Sequence, residues 1–201
     1  MKRVMLFGIL LALVPPGAPG GQAQAHMTPT VELVGKDAVL RRLLPGSSTF
    51  QARELILSRE EIKSVRRSYG LRWPRDPVRF YRGEDAEGSV LGIELFTTAD
   101  SPHGPVEMAV ALDSSGRLTG FKITRVNAEI LPWIRALERS SVLEGFKGAV
   151  ASDLAGPEDL PLGDLASLGR MERFYAQVVR EAVFKALILS RWIHPREAPA
   201  P

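Results

Sequence analysis

The sequence contains no cysteine among its 201 residues. Disulfide bonds, cysteine-ligated zinc, iron–sulfur clusters and haem attached through cysteine are therefore excluded. Histidine is also scarce, because His26, His103 and His194 are the only three, and their spacing matches no metal-binding motif. Any redox chemistry must therefore come from a bound organic cofactor. A chain of this length can bury an adequate core without disulfides.

The chain also lacks an excess of charge of either sign, since 26 lysines and arginines face 23 acidic residues and give a net charge of +3. Lys2 and Arg3 account for two of these charges, so the rest of the chain is almost balanced. This balance offers no electrostatic argument for nucleic-acid binding. An arginine-rich stretch over residues 59–79 is typical of a solvated helix face and is also compatible with a docking patch for an acidic partner.

Long hydrophobic runs are missing as well, because no run reaches the roughly 20 residues that a membrane-spanning helix needs. The apolar run at residues 4–14 follows Lys2 and Arg3, and two prolines at residues 15–16 end it. Ala23 and Ala25 then provide a small-x-small cleavage pattern. We therefore predict a secretory signal peptide at residues 1–25 and export to the periplasm or the extracytoplasmic face of the membrane. An uncleaved anchor is the alternative.

The remaining chain predicts one domain at residues 26–194 and a disordered tail at residues 195–201. Alternation of Val106, Met108, Val110 and Leu112 indicates a half-buried strand. A turn at residues 113–116 and a second strand at residues 118–126 complete a hairpin. Residues 77–81 and 89–97 indicate another hairpin in the same sheet, and residues 49–57 another strand.

Helices are predicted at residues 37–44, 58–70, 132–140 and 171–193, with a long irregular stretch at residues 148–169. Ser58 and Glu61 form a capping-box pair at the start of the second helix, and Gly70 ends it. The last helix carries a wide apolar stripe that should pack on the sheet. The predicted fold is therefore α+β: a single domain with an antiparallel sheet of hairpins packed by helices, including a long C-terminal helix.

The order of several short motifs resembles the extracytoplasmic FMN-binding domain family. Its members include the G subunit of Rnf-type complexes and the C subunit of sodium-pumping NADH:quinone oxidoreductases. The motifs are His-Gly-Pro at residues 103–105, Ala-Leu-Asp at 111–113, Leu-Pro-Gly at 44–46, Leu-Ser-Arg-Glu at 57–60 and Gly-Phe-Lys-Gly at 145–148. The resemblance covers roughly residues 36–147 and implies an exported α+β domain that takes part in electron transfer.

One family motif is missing. Covalently flavinylated members carry a Ser-Gly-Ala-Thr motif whose threonine is joined to the FMN phosphate. Residues 149–170 contain no threonine, and the two serines there, Ser152 and Ser167, lack the motif's context. Because a phosphoester needs a positioned hydroxyl, we expect FMN to be held non-covalently if it is bound at all.

The resemblance implies a flavin site at one end of the main hairpin. The candidate cofactor-binding residues are His103, Gly104, Thr124, Arg125, Asn127 and Glu129. The alternatives are structural: an exposed turn for His103 and Gly104, an Asx-turn that closes the strand for Asn127, and a surface or helix-start carboxylate for Glu129. Lys147 is another candidate partner for a phosphate, and Trp133 either packs at the core rim or stacks on the flavin ring.

Two functions follow from these observations, and an exported domain that binds a small ligand or a lipid ranks below them. The first is extracytoplasmic electron transfer with non-covalent FMN, in which the flavin supplies the redox chemistry. The second is a flavin-free interaction subunit that docks with a membrane redox complex or another exported protein. In either case the expected partners are membrane or exported redox proteins, and membrane association comes only through a partner or an uncleaved signal segment. No signature of an enzyme with its own substrate is present.

Overall fold

The computed structural model describes residues 29–71, 73 and 76–197. The predicted signal peptide at residues 1–25 lies outside the described residues. Within the described part, no helix combines the length and the apolar character needed to cross a membrane.

The α+β prediction is confirmed, because a six-stranded antiparallel sheet is packed by four α-helices. The strands are β1 Thr30–Glu32, β2 Thr49–Leu55, β3 Val78–Glu84, β4 Val90–Ala99, β5 Val106–Asp113 and β6 Leu118–Asn127. The helices are α1 Lys36–Leu43, α2 Arg59–Tyr69, α3 Leu131–Arg139 and α4 Arg170–Glu197. The order of strands across the sheet is β1-β6-β5-β4-β3-β2.

The main hairpin, β5 and β6, forms as predicted because its turn satisfies its own backbone groups. The carboxylate of Asp113 accepts hydrogen bonds from the amides of Ser115, at 2.9 Å, and Arg117, at 3.0 Å. Gly116 adopts a φ of +79°, a conformation that favours glycine. The turn therefore aligns Leu112 with Leu118, and two irregularities further along the hairpin shift the register of the remaining pairs.

The two faces of the sheet are covered differently. On one face, Ile93, Leu95, Val110 and Leu112 belong to the main hydrophobic core, which also includes the apolar stripe of α4. On the other face, α1 packs close to the sheet because the strands have small residues there, such as Gly92. A Cβ atom on Gly92 would lie 3.0 Å from a methyl group of Leu44, just after α1, and 2.1 Å from the carbonyl oxygen of Leu112.

Helix α2 confirms the predicted capping. Ser58 accepts a hydrogen bond from the Glu61 amide at 3.2 Å, and the Glu61 carboxylate accepts one from the Ser58 amide at 2.7 Å. Gly70 ends the helix with a φ of +67°. Such reciprocal capping stabilises a helix end by about 1 kcal/mol.

The structure differs from the sequence prediction in three places. Strand β1 was not predicted, and its three residues pair with residues 125–127 of β6. Helix α4 continues to Glu197, through the first three residues of the expected tail, and residues 198–201 lie outside the described part. The irregular stretch at residues 148–169 contains two short 3₁₀ turns, Ala151–Asp153 and Pro157–Asp159.

Candidate functional site

The loop between β4 and β5 is held in a tight turn by its own polar groups. Ser101 Oγ donates to the carbonyl oxygen of Gly104 at 2.6 Å and accepts from the His103 amide at 3.3 Å. Gly104 has a φ of +108°, and a Cβ atom there would lie 2.1 Å from Nδ2 of Asn127. Both the backbone conformation and the close approach therefore require glycine at this position.

The same loop is fastened to the end of β6. Asn127 Nδ2 donates to the carbonyl oxygen of His103 at 2.9 Å, and His103 Nδ1 lies 2.8 Å from a carboxylate oxygen of Glu129. The His103 side chain is 34% exposed and that of Glu129 is 47% exposed. We call this group, Ser101, His103, Gly104, Asn127 and Glu129, the His103 latch. Four of the six candidate cofactor-binding residues thus meet in one place.

Two aromatic rings, Trp133 and Tyr175, connect the latch to the hydrophobic core. The His103 ring meets the Trp133 ring edge-on, with centroids 5.6 Å apart, and Trp133 stacks on Tyr175 at 5.7 Å with an interplanar angle of 16°. The Tyr175 hydroxyl lies 3.2 Å from Ser101 Oγ. Burial raises the pKa of Tyr175, the negative charge of Glu129 adds to this, and the hydrogen bond with Ser101 opposes it. Sequence reasoning did not identify Ser101 or Tyr175, because nothing near either residue marks it as special.

The other two candidates, Thr124 and Arg125, have different partners. The Thr124 carbonyl oxygen accepts a hydrogen bond from the Leu33 amide at 2.8 Å, where the chain leaves β1. Arg125 forms an exposed ion pair with Glu107 on β5 at 2.8 Å, and this hydrogen bond raises the pKa of Arg125. Both residues therefore support the sheet, and a role in cofactor binding stays a prediction for all six candidates.

A concave surface that contains none of the latch residues lies along the outer edge of β6. A cleft of about 520 Å³ runs between residues 118–123 and a wall formed by α3 and the segment that follows it. Its apolar lining residues are Leu118, Phe121, Ile123, Leu137 and Leu143. Of these, Phe121 is partly exposed and the other four are buried. This volume falls within the range of small-molecule sites, about 300–1,000 Å³.

A second cleft, of about 590 Å³, shares Leu118, Thr119 and Lys147 with the first and extends towards the end of α1. We call the two clefts together the β6 groove. Its cations are Arg42, Arg117, Lys122 and Lys147, and its carboxylates are Glu138 and Glu144. The groove therefore has an excess of positive charge, and one of its cations, Lys147, was singled out by the sequence as a possible phosphate partner.

The charges of the groove differ in how they are compensated. Lys122 pairs with Glu138 at 3.4 Å. Arg117 donates to the carbonyl oxygen of Gly148 at 2.8 Å. Burial raises the pKa of Asp113, but hydrogen bonds from Ser115 and Arg117 outweigh it and lower this pKa, and the charge of Arg117 adds to the lowering. Among the described residues, no ion pair involves Arg42 or Lys147. The junction of the two clefts, where Lys147 lies, is thus the part of the groove best suited to an anion.

Glu94 is the most unusual titratable group outside these two regions. It lies in the middle of β4, opposite Tyr81 and Ala111, with no exposed surface. Neither carboxylate oxygen has a hydrogen-bond partner among the described residues. Burial raises the pKa of Glu94 to about 8. The carboxyl group is therefore protonated at neutral pH, because a charged group in this position would lose its hydration without compensation.

The stretch expected to hold the flavin attachment motif packs on the body of the domain. Ala151, Leu154 and Leu160 are buried in the main core. Both serine hydroxyls of this stretch donate hydrogen bonds to nearby residues of the stretch itself. Ser152 Oγ donates to the Asp153 carboxylate at 2.9 Å, and Ser167 Oγ donates to the Asp164 carbonyl oxygen at 3.3 Å. The geometry thus adds nothing that would replace the missing threonine.

Comparison of the chain with models of known protein families and with curated proteins gives no match. The resemblance to the FMN-binding domain therefore depends on the motifs and their order alone.

Proposed function

We propose that this protein is an exported, flavin-free interaction subunit that docks on a partner through the β6 groove. The expected partner is a membrane redox complex or another exported protein. One observation carries the proposal: the groove combines a strand edge, the partly exposed apolar side chains of Phe121, Leu43 and Leu91, and an excess of positive charge in one recessed surface. These are the features by which a protein surface recognises a segment of another protein.

The His103 latch also favours a flavin-free function, because its polar groups already form hydrogen bonds with one another. Asn127 and Glu129 both hold His103, and Gly104 fits only because it has no side chain. The contacts that form the latch involve no lysine or arginine, whereas the FMN phosphate carries negative charge. The nearby guanidinium of Arg125 is compensated by Glu107. As arranged, the latch fits a structural role better than the binding of a phosphorylated cofactor.

Non-covalent FMN binding is the second candidate, and the volume of the groove favours it. A flat ring would lie against the exposed part of Phe121, and Lys147 and Arg117 would hold the phosphate. The bound flavin would supply electron transfer, while the protein would position the flavin and set the polarity of its surroundings. The row of backbone groups along β6 suits a peptide strand better than a ring system, and for this reason we place docking first.

A flavin scan separates the two candidates. The protein is purified after export, and its absorbance and fluorescence are recorded before and after addition of excess FMN, and again after acid precipitation. We expect no bound flavin. FMN that binds, and loses affinity in a Lys147→Ala variant but not in Asn127→Ala, would replace docking by the cofactor function. Colour retained in the acid pellet would show covalent attachment and would contradict the argument from the missing threonine.

Docking is tested directly by site-specific photo-crosslinking in the exporting host. A photoreactive residue at Glu144, in the groove, is compared with one at Ala52, on the exposed edge strand β2 at the opposite side of the sheet. We expect one discrete adduct from position 144 and none from position 52. Equal labelling from both positions, or no adduct from position 144, would refute docking through the groove.

A further inference from the structure

The outer edge of β6 is paired at its two ends and open between them. At one end, β1 pairs with residues 125–127. At the other end, the Leu118 amide donates to the Ala149 carbonyl at 2.9 Å, the Gly148 amide donates to the Leu118 carbonyl at 2.8 Å, and Arg117 bridges Val150. Among the described residues, no segment pairs with this edge between residues 119 and 123. The sheet therefore has a gap in its outermost position.

Such a gap leaves hydrogen-bonding groups available. In an antiparallel sheet, every second residue of an edge strand directs its N–H and C=O groups away from the neighbouring strand. These groups form a template on which another strand can add. Five residues at about 3.3 Å each give a gap about 17 Å long, which accommodates a strand of four or five residues.

The other edge of the sheet is built differently. Strand β2 forms that edge, and it presents the exposed side chains of Arg53 and Glu54 along with Ala52. Charged side chains on a fully exposed edge discourage pairing with other chains. The gap on β6 instead lies inside a groove, where Phe121, Leu43 and Leu91 keep part of their apolar surface exposed next to the strand. An incoming strand could bury alternate side chains there.

The charges of the groove indicate the composition of the incoming segment. Four cations and two carboxylates line it, and Lys147 and Arg42 form no ion pair among the described residues. An acidic segment would compensate this excess, and a basic one would be repelled. Apolar or β-branched residues at alternate positions would contact the exposed parts of Phe121 and Leu43.

We propose that the gap in the outer edge of β6 receives an extended, acidic segment of an exported partner protein, which adds to the sheet as a short seventh strand. This inference rests on the docking function proposed above and adds the binding mode and the chemistry of the partner. Backbone hydrogen bonds to residues 119–123 provide affinity, and Phe121 together with Lys122 and Lys147 provides selectivity.

Synthetic peptides test the binding mode. The probe is a fluorescently labelled peptide of sequence Asp-Val-Thr-Val-Thr-Val-Asp. Two matched peptides accompany it: one with the same side chains but N-methylated at alternate amides, and one with lysine in place of each aspartate. We expect the acidic peptide to bind with affinity at least about tenfold higher than either of the others, the loss expected from a few missing hydrogen bonds or from charge repulsion. Equal binding of the N-methylated peptide would refute strand addition, and equal binding of the basic peptide would refute the assigned chemistry.

The location is tested by hydrogen exchange and by charge reversal. The acidic peptide should slow amide exchange in residues 119–123 of the unmodified protein. A Lys122→Glu/Lys147→Glu variant should lose about tenfold in affinity, while Arg53→Glu on the β2 edge should leave it unchanged. The proposal would be overturned if amide exchange slowed only outside residues 119–123, or if the acidic peptide showed no detectable binding at millimolar concentration. The exchange measurement uses the unmodified protein, so it does not depend on the folding of any variant.

Other occupants of the gap give distinct results. Protection of residues 119–123 that rises with protein concentration in the absence of peptide would identify a second copy of the chain. Displacement of the peptide by FMN would identify the flavin as the occupant. Either result would overturn the proposal. A crosslinked adduct from Glu144 together with failure of the peptide tests would preserve docking through the groove and reject only strand addition.

Discussion

Glu94 offers the sharpest test of the structure, because its burial predicts a specific dependence of stability on pH. The folded state holds a proton on Glu94 up to a pKa of about 8, whereas the unfolded chain loses it near the ordinary value of 4.5. Between these two values the folded state binds more protons than the unfolded state, so the free energy of unfolding falls as pH rises. The contribution is fully present below pH 4.5, decreases through the interval and levels off above pH 8.

The change to make is Glu94→Gln, which keeps the size and the neutral form of the side chain. Each pH unit within the interval is worth about 1.4 kcal/mol. The 2.5 units between the ordinary pKa of 4.5 and pH 7 therefore predict that Glu94→Gln is more stable than the unmodified protein by about 3 kcal/mol at pH 7. Near pH 4.5 the two proteins should differ by only about 1 kcal/mol or less, since both carry a neutral side chain there.

The assay is urea unfolding followed by tryptophan fluorescence at pH 5, 6, 7 and 8. The difference in free energy of unfolding between Glu94→Gln and the unmodified protein cancels the contributions of all other titrating groups. Glu107→Gln is the matched control, because Glu107 forms an exposed ion pair with Arg125 and should contribute less than about 1 kcal/mol. A difference that stays constant from pH 5 to pH 8 would show that Glu94 is hydrated or paired, and would refute the assignment.

The remaining predictions concern the His103 latch. Gly104→Ala should lower the free energy of unfolding by about 2 kcal/mol or more in thermal or urea unfolding, because its φ of +108° and the contact with Asn127 both exclude a methyl group; an unchanged stability would contradict the loop geometry. Asn127→Ala should cost about 1–2 kcal/mol through the unbonded His103 carbonyl, and a loss below 0.5 kcal/mol, roughly the size of an ordinary surface change, would mean that the hydrogen bond is not formed. The double variant Asn127→Ala/Glu129→Ala should leave FMN titration unchanged, whereas a loss of FMN affinity would return the cofactor to the latch.

Local signals in the sequence were sufficient for most of the fold. Alternation of apolar residues placed β5, and the Asp113 turn followed by a β-rich run placed β6, although two shifts of register along the hairpin were not predicted. The Ser58–Glu61 pair and Gly70 marked the ends of α2. These features depend on residues within a few positions of each other, and for that reason a pattern in the sequence reveals them.

The site was predictable only in part. The family resemblance pointed to His103, Asn127 and Glu129, and the structure brings them together because the hairpin returns the chain to the same end of the sheet. The sequence does not reveal that these residues form hydrogen bonds with one another. Because of these hydrogen bonds, few of their polar groups are available to a ligand. Thr124 and Arg125 lie next to these residues in the chain but bond to other partners.

By itself, the sequence determined the cysteine-free chemistry, the fold class and most of the helices and strands, because composition and short-range periodicity are properties of the chain alone. Only the tertiary structure decided that β1 stops pairing at Arg125, that residues 148–150 return to Leu118, and that an open strand edge lies between them. It also decided that Glu94 is buried without a partner. Pairing between distant segments and exclusion of water depend on how the whole chain packs, and no local pattern records them.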